Sequence, residues 1–234
     1  MPHIVITGIT HGIGKAIAHA FLEAGFDISG CARNIEEIQQ CAEEWKKTYD
    51  KQKIQLIPCD LSKPSEVETF AERVKAAFPT VDILVNNAGI FLPGKLMDEP
   101  DGHLESLLSV NLLSAYKLTR HLLPALTGSQ KAHIFNISSV AGQRAYENGG
   151  SYSITKYALT GFSENLRHEL MTQKIRVTTV FPGATWSRSW AFSGLPESRF
   201  ISAEDIAAMI LATYRLSPSA NVDTLTIRPL QGDI

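Results

Sequence analysis

The segment HIVITGITHGIGKAIAHAFLEAG, residues 3–25, joins an apolar run to a helical pattern through a glycine-rich turn. Residues 3–7 are mostly β-branched and apolar, which is typical of a buried strand. Over residues 12–24, apolar side chains recur at the i, i+3 and i+4 positions of one helix face, and Gly25 ends the pattern. The segment therefore predicts a strand, a tight turn and a helix, the first half of a βαβ unit.

The rest of the chain repeats this alternation. The pattern predicts strands over residues 3–7, 26–31, 54–58, 81–85, 131–137, 175–181 and 222–227, and helices over residues 12–24, 35–49, 65–78, 102–126, 153–171 and 203–214. Strands that alternate with helices form a parallel sheet with helices on both faces. We therefore expect a three-layer, doubly wound α/β fold with a seven-stranded parallel sheet. No composition break marks a linker, which predicts a single domain over residues 1–234 with an inserted loop at residues 185–200.

The composition argues against several other classes of protein. With 44% hydrophobic and 20% charged residues among 234, the sequence is unlike a disordered or collagen-like chain. No apolar run reaches the ~18–20 residues of a membrane-spanning helix, and the first residues lack the basic start of a signal peptide. Twenty-two basic against 24 acidic residues predict no nucleic-acid surface. The three cysteines have no CxxC or metal spacing, which predicts no metal site and suits the reducing cytoplasm.

The turn after the first strand has the pattern G-x-x-x-G-x-G, at Gly8, Gly12 and Gly14. Glycines let the backbone turn tightly and approach a pyrophosphate, which then lies against free N–H groups at the helix N-terminus. The alternative is a tight turn that binds nothing. Because a predicted strand precedes the loop and a predicted helix follows it, the context favours a dinucleotide site.

Further motifs follow this loop along the chain. They are Asp60-Leu61, Asn86-Asn87-Ala88-Gly89, Asn111, Asn136-Ile137-Ser138-Ser139, Tyr152-x-x-x-Lys156 and Pro182-Gly183. Together with the glycine loop they resemble the short-chain dehydrogenase/reductase family, from residue 7 to about residue 187. The resemblance implies a Rossmann fold, a nicotinamide cofactor and an oxidoreductase that transfers hydride between a carbonyl and an alcohol.

Tyr152 and Lys156 are four residues apart at the start of a predicted helix, so their side chains share one face. An unperturbed tyrosine has a pKa of ~10 and is a poor base at neutral pH. A lysine ammonium one turn away favours the tyrosinate and would tune the phenol to exchange a proton with a carbonyl or alcohol oxygen. The alternative is an ordinary aromatic–lysine pair on a helix.

The resemblance adds two catalytic positions. Ser139, at the end of the fifth predicted strand, would hold the substrate oxygen, with Ser138 as the alternative. Asn111 would distort its helix so that a backbone carbonyl holds a water, linked through Lys156 to solvent. Without the resemblance, Ser139 is a serine that closes a strand and Asn111 is a partly exposed polar residue. The predicted catalytic set is Asn111, Ser139, Tyr152 and Lys156.

The second strand ends in Ala32-Arg33, where this family contacts the adenosine ribose. An acidic residue there would bind the 2′-hydroxyl of NAD, but Ala32 stands in its place and the Arg33 guanidinium can bind a 2′-phosphate. His11 could add a donor; the alternative for Arg33 is a solvated surface charge. The sequence therefore predicts NADP(H), preferred over NAD(H). The predicted cofactor-binding set is Gly8, Thr10, His11, Gly12, Ile13, Gly14, Arg33, Asp60, Leu61, Asn87, Ala88, Gly89, Tyr152, Lys156, Pro182, Gly183, Thr185 and Ser187. Asn87 has the alternative of a turn former at the end of a strand.

The segment over residues 185–192 corresponds to the substrate lid of the family and contains two tryptophans and a phenylalanine. These aromatics indicate an apolar or planar substrate, or else they pack against the chain's own helices. The loops at residues 90–94 and 143–147 would form the other walls.

The leading hypothesis is an NADPH-dependent reductase of a ketone or aldehyde, with tyrosine as the general acid. The alternatives are the same chemistry run as an alcohol dehydrogenase, a 3-oxoacyl thioester reductase, and a non-catalytic NADP(H)-sensing protein, against which the presence of both Tyr152 and Lys156 argues. The expected partners are a small carbonyl or alcohol substrate and further copies of the chain, with no nucleic acid and no membrane. A homodimer or homotetramer is expected because the two long helices carry more apolar surface than the sheet can cover.

Overall fold

The computed structural model describes residues 1–187, 190 and 193–234. The strands are β1 His3–Thr7, β2 Asp27–Ala32, β3 Ile54–Pro58, β4 Ile83–Asn86, β5 His133–Ile137, β6 Arg176–Pro182 and β7 Thr224–Ile227. They form one parallel sheet of seven strands in the order β3-β2-β1-β4-β5-β6-β7. The predicted α/β fold with a seven-stranded parallel sheet is therefore confirmed.

The helices are α1 Gly12–Glu23, α2 Ile35–Thr48, α3 Pro64–Ala77, α4 His103–Leu108, α5 Ser114–Thr127, α6 Gly150–Leu170 and α7 Ala203–Arg215. A π-helical turn, Ser109–Leu113, connects α4 to α5, and a 3₁₀ turn, Val140–Gly142, follows β5. Within the described residues, no helix combines the length and the apolar composition that crossing a membrane would require.

Both faces of the sheet are apolar, because successive side chains of a buried strand point to opposite faces. Ile4 and Ile6 of β1 belong to a buried cluster that α1 and α7 complete. Val5, between them, belongs to a second cluster that α3 and α5 complete. Burying one large aliphatic side chain contributes about 1.5–3 kcal/mol, so the two clusters hold the sheet between its helical layers.

The strand order reverses next to β1, since β2 lies on one side of it and β4 on the other. At such a point the loops that leave the carboxyl ends of the two central strands diverge and open a crevice. The glycine loop leaves β1 at this edge, and residues 87–91 leave β4 beside it. The topology therefore brings together two of the motifs found in the sequence.

The predicted helix over residues 102–126 is not continuous. Its apolar periodicity is correct, but the π-helical turn Ser109–Leu113 divides it into α4 and α5. Asn111 lies in this turn and is only 2% exposed. A π-helical turn accommodates one extra residue, so the irregularity that the family resemblance implied at Asn111 is present.

Candidate active site

A cavity of about 470 Å³ opens beyond the carboxyl ends of the central strands. The predicted site residues that line it are Ile13, Asn87, Gly89, Ser139, Tyr152, Lys156, Pro182, Gly183, Thr185 and Ser187. Ligands of parallel α/β sheets bind at this edge. The structure thus gathers residues from five separate stretches of sequence around one space.

Tyr152 and Lys156 lie on the first turns of α6, with the Lys156 ammonium nitrogen 5.6 Å from the centre of the tyrosine ring. The lysine is 4% exposed, and its ammonium donates a hydrogen bond to the Ile137 carbonyl at 3.0 Å. The Tyr152 hydroxyl is hydrogen-bonded to the side chain of Ser139. The structure therefore brings the serine, tyrosine and lysine of the predicted catalytic set to one wall of the cavity.

Burial dominates the electrostatics of this pair. It raises the pKa of Tyr152 well above its ordinary range, and the hydrogen bond from Ser139 only partly opposes this effect. Burial also lowers the pKa of Lys156 to about 8. In the protein alone, the phenol is thus held neutral at physiological pH, as a proton donor, and the lysine is mostly an ammonium. Lys156 is not among the causes that shift the pKa of Tyr152, and the lysine's tuning of the phenol towards tyrosinate remains a prediction.

The two adjacent serines after β5 have different surroundings. The Ser138 hydroxyl points into the protein and donates to the Lys156 backbone carbonyl at 3.1 Å. The Ser139 oxygen accepts from the Ala141 amide at 3.1 Å, which caps the 3₁₀ turn, and faces Tyr152. Both serines line the cavity, but it is the Ser139 hydroxyl that contacts Tyr152.

Asn111 does not line the cavity but fixes one of its loops. Its Oδ1 accepts from the Ile90 amide at 2.8 Å, and its Nδ2 donates to the Ile90 carbonyl at 3.0 Å and to Thr155 Oγ1 at 3.1 Å. A Cβ built on Gly89 would lie 3.3 Å from Asn111 Oδ1 and 3.5 Å from Lys156 Nζ. Asn111 and Lys156 therefore share a small space that a glycine keeps open. The water relay through Asn111 remains a prediction.

The glycine loop has the close approach that a pyrophosphate site needs. A Cβ on Gly14 would lie 2.1 Å from the Gly8 carbonyl oxygen, and Gly8 itself has a φ of +69°. The Asn87 side chain fixes this turn by donating to the carbonyls of Thr7 at 2.8 Å and Gly8 at 3.2 Å. Asn87 thus has the turn-forming role that the sequence left open, and it also lines the cavity.

The first turn of α1 borders the cavity, which Ile13 lines. Helix N-termini leave their first N–H groups without intrahelical acceptors, and among the described residues His11 at the N-cap makes no side-chain hydrogen bond to the helix. Unpaired amides at a helix N-terminus favour a phosphate group. The residues present therefore fit the pyrophosphate of a dinucleotide.

The predicted adenosine side lies at the ends of β2 and β3. Arg33 is exposed and follows Ala32, with no acidic side chain at either position. Asp60 Oδ1 accepts from the Ser62 amide at 3.0 Å and the Ser62 hydroxyl at 2.7 Å. The bond from the Ser62 hydroxyl is the main cause that lowers the pKa of Asp60, and the charges of Lys63 and Arg33 lower it further. Arg33 and Asp60 are therefore electrostatic neighbours.

Sequence reasoning missed a carboxylate at this end. Glu37, in the first turn of α2, accepts from the Thr10 hydroxyl at 3.2 Å and lies 2.6 Å from His11 Nε2. Its amide donates to the Asn34 side chain, the N-cap of α2. An Asn at the N-cap with a Glu three residues later is a helix-start pattern, and it could have located this glutamate. His11, predicted as a donor for the 2′-phosphate, is thus engaged by Glu37.

The other predicted cofactor residues have mainly backbone contacts. The Ala88 amide donates to Thr7 Oγ1 at 3.0 Å, and the Gly183 amide donates to the Ile227 carbonyl at 2.8 Å. Thr185 Oγ1 donates to the Gly183 carbonyl at 3.0 Å. Leu61 is buried at 6% exposure behind Asp60. Their contacts with a cofactor remain predictions.

Aromatic side chains form the wall opposite the glycine loop. Phe91 packs edge-on against Tyr152, with ring centres 4.8 Å apart, and stacks on Trp190 at 6.4 Å. Trp186 and Trp190 both contact Phe200, at 5.2 and 5.3 Å. Trp190 thus lines the cavity and also packs on the chain's own Phe200, and the apolar or planar substrate that the sequence suggested remains a prediction. The predicted lid residues Arg188, Ser189, Ala191 and Phe192 lie outside the described residues.

The loops at residues 90–94 and 143–147 supply further wall residues, as the sequence analysis expected. They are Ile90, Phe91, Arg144, Ala145 and Tyr146. Asp233 and Ile234 also line the cavity, although they are more than 80 residues from Arg144 in sequence. No local pattern marks them, and sequence reasoning did not find them.

The comparisons with known proteins agree with this geometry. A family model described as short chain dehydrogenase matches residues 2–193. An uncharacterised oxidoreductase of Staphylococcus aureus is 27% identical over 226 residues, which cover 97% of this chain and 96% of that protein. An alcohol dehydrogenase of the archaeon Thermococcus sibiricus, complexed with 5-hydroxy-NADP, has a TM-score of 0.90 at 25% identity and covers 98% of this chain and 97% of its own. L-sorbose reductase of Gluconobacter frateurii, complexed with NADPH and L-sorbose, has a TM-score of 0.87 at 25% identity, with coverages of 97% and 94%.

Proposed function

The chain belongs to the short-chain dehydrogenase family, and from this premise we propose that it is an NADPH-dependent reductase that converts a ketone or aldehyde into an alcohol. The observation that carries the proposal is the Tyr152 phenol, held neutral by burial and hydrogen-bonded to Ser139 on the cavity wall. A neutral phenol is the form that a general acid needs.

The two hydroxyls act first in binding. A carbonyl oxygen inserted between Ser139 and Tyr152 accepts a hydrogen bond from each, which orients the substrate. Tyr152 then gives its proton to that oxygen as the carbonyl is reduced. The cofactor, when bound, supplies the hydride. The Lys156 ammonium, 5.6 Å from the centre of the ring, stabilises the negative charge that proton transfer leaves on the phenolate.

The proposed cofactor is NADPH in preference to NADH. Three observations support it: Ala32 stands where an acidic residue would select NAD, Arg33 is exposed beside it, and two of the similar structures contain NADPH or 5-hydroxy-NADP. The pyrophosphate would lie on the amides of Gly12, Ile13 and Gly14. The three free cysteines are consistent with the cytoplasm as the site of this activity.

Alcohol oxidation is the second candidate, because the Thermococcus sibiricus structure is an alcohol dehydrogenase. Oxidation requires the tyrosinate as a base, and burial of Tyr152 disfavours that form. The neutral phenol is therefore the form that reduction uses at neutral pH, and the rate of alcohol oxidation is expected to rise with pH as the tyrosinate forms. The thioester alternative has less support: Arg120 and Lys131 lie over the rings of Tyr116 and Tyr214 and are not among the cavity residues.

Replacing Tyr152 with phenylalanine tests the proposal. Tyr152→Phe removes the proton donor and leaves the ring in place, so NADPH-dependent reduction of a ketone and aldehyde panel should fall by roughly 10²–10⁴. Cofactor binding, followed by fluorescence titration, should persist. Tyr157→Phe is the matched control, since Tyr157 lies on the same helix, is exposed and is absent from this cavity. Equal activities of the two variants would show that Tyr152 is not the acid.

A further inference from the structure

The segment of residues 228–234, here called the C-terminal tail, crosses the mouth of the cavity. The tail leaves β7 beside Gly183, and a Cβ built on Gly183 would lie only 2.8 Å from Pro229 Cδ. It then places Asp233 and Ile234 on the cavity wall. The tail is therefore part of the space that receives the substrate.

Two guanidinium groups from outside the tail, those of Arg144 and Arg199, hold it, and Arg228 within the tail pairs with Asp233. Arg144, five residues after Ser139, forms an ion pair with Asp233 Oδ2, and Arg228 pairs with the same oxygen. Arg199 donates to the backbone carbonyls of Gly232 at 2.9 Å and Asp233 at 3.1 Å. Among the described residues, Arg144 and Arg228 therefore both pair with the Asp233 carboxylate, and Arg199 binds backbone oxygens of the tail.

The described lining residues of the cavity offer Arg144 no acidic side chain other than that of Asp233. The charged side chains of that lining are Arg144, Lys156 and Asp233. Lys156 is buried beneath Tyr152 and donates to the Ile137 carbonyl. When Asp233 moves aside, Arg144 therefore presents a positive charge to a cavity whose other walls are mainly apolar, aromatic or neutral.

We propose that Arg144 determines specificity by binding a carboxylate carried by the carbonyl substrate, and that Asp233 occupies this guanidinium until the substrate displaces it. The inference rests on the proposed reductase function and names its substrate class as oxo acids. A guanidinium fork matches a carboxylate, and the pairing with Asp233 shows that a carboxylate fits at this place. Arg199 keeps its hydrogen bonds to the Gly232 and Asp233 carbonyls when the exchange occurs, so the tail stays near the cavity.

The test uses matched pairs of substrates with the full chain and NADPH. Straight-chain oxo acids, with the ketone at successive positions from the carboxylate, are compared with their methyl esters. The acid of the best-fitting length should have the higher kcat/KM. Arg144→Gln should lower kcat/KM for that acid roughly tenfold more than kcat/KM for its ester, mainly through KM. Asp233→Asn should lower KM for the acid because it removes the internal competitor.

Arg167→Gln is the control, because Arg167 also pairs with an exposed carboxylate, that of Asp223, but is not among the cavity residues. Calorimetric titration of the same oxo acids into NADP⁺-loaded Tyr152→Phe protein, with and without Arg144→Gln, measures binding without turnover. Equal effects of Arg144→Gln on acid and ester, or no preference for the acid, overturn the inference and leave the reductase function standing. Binding that depends on Arg144 without reduction of any ketone by the wild type overturns the proposed function and supports the carboxylate site.

Discussion

Burial of Lys156 has two opposing effects on its role as a positive charge beside Tyr152. Its position beneath Tyr152 puts a positive charge where a phenolate must form, but the same burial lowers its pKa to about 8. Burial raises the pKa of Tyr152, so the phenol keeps its proton well above that pH. Of the two groups, the lysine is therefore the first to lose its proton as the pH rises.

Because Lys156 loses its proton before Tyr152, we predict how kcat/KM for reduction changes at alkaline pH. As the pH rises through about 8, Lys156 loses its charge, the nascent phenolate loses its stabilising ammonium, and kcat/KM for reduction should decline. Lys156→Arg keeps the positive charge at alkaline pH. The pH at which kcat/KM declines should therefore be higher in this variant, even if its maximal rate is lower. The measurement is kcat/KM against pH for both proteins. An unchanged limb in Lys156→Arg would assign the titration to another group.

Cofactor preference also depends on single residues. If Arg33 binds the 2′-phosphate, Arg33→Ala should raise KM for NADPH about ten- to a hundredfold and barely change KM for NADH, because a charge-assisted hydrogen bond contributes roughly 1.5–3 kcal/mol. Glu37→Gln should lower KM for NADPH, since it removes a negative charge beside His11. Initial rates with both cofactors measure the ratio. Equal effects of Arg33→Ala on NADPH and NADH would exclude this arginine as the phosphate ligand.

At the scale of elements, the sequence predicts the helices, strands and turns whose formation depends on residues close together in the chain. Apolar periodicity located the strands and most helices, and glycine spacing located the turn before α1. The same periodicity concealed the break at Ser109–Leu113, because apolar residues continue through it. Asn111 in this turn makes long-range hydrogen bonds with Ile90 and Thr155. The pattern of a single sequence does not reveal such contacts, and only the family resemblance indicated an irregular helix at Asn111.

Asn111→Leu should therefore destabilise the π-helical turn and the loop it holds. It leaves the Ile90 amide and carbonyl without their side-chain partner, and the free energy of unfolding should fall by about 1–3 kcal/mol. Asn111→Asp keeps the acceptor and adds a negative charge near Lys156, so it should also raise the pH of the alkaline limb. Urea denaturation and pH profiles measure the two effects. Asn165→Leu is the control, because Asn165 is exposed and donates only within its own helix.

At the scale of the whole molecule, the C-terminal tail shows where sequence reasoning ends. Arg144 and Asp233 are 89 residues apart, and they meet because β7 is the edge strand next to β6. Neither residue belongs to a recognisable motif. The catalytic set could be predicted because its spacing is a family pattern, whereas the substrate side depends on how distant loops meet.

An apolar surface remains exposed on α6, on α5 and on the end of the π-helical turn before α5. Leu113 and Tyr116 are 45% and 40% exposed, and Ile154 and Tyr157 are 41% and 45% exposed. Tyr116 packs on Phe162 with ring centres 5.7 Å apart, so the two helices present these side chains from adjoining positions. Exposed apolar patches of this kind mark interaction surfaces, and a two-fold contact between copies of a chain is the commonest way to cover them.

We expect the chain to sediment as a dimer or tetramer at micromolar concentration, with this surface in the interface. Charges placed in a buried apolar interface are costly, so the double variant Tyr116→Glu with Tyr157→Glu should shift the protein towards the monomer. Sedimentation velocity over a concentration series measures the shift. Leu216→Glu is the control, because Leu216 is 41% exposed but follows α7, away from these helices. A wild-type chain that is monomeric throughout the series, or equal association of both variants, would contradict this assignment of the interface.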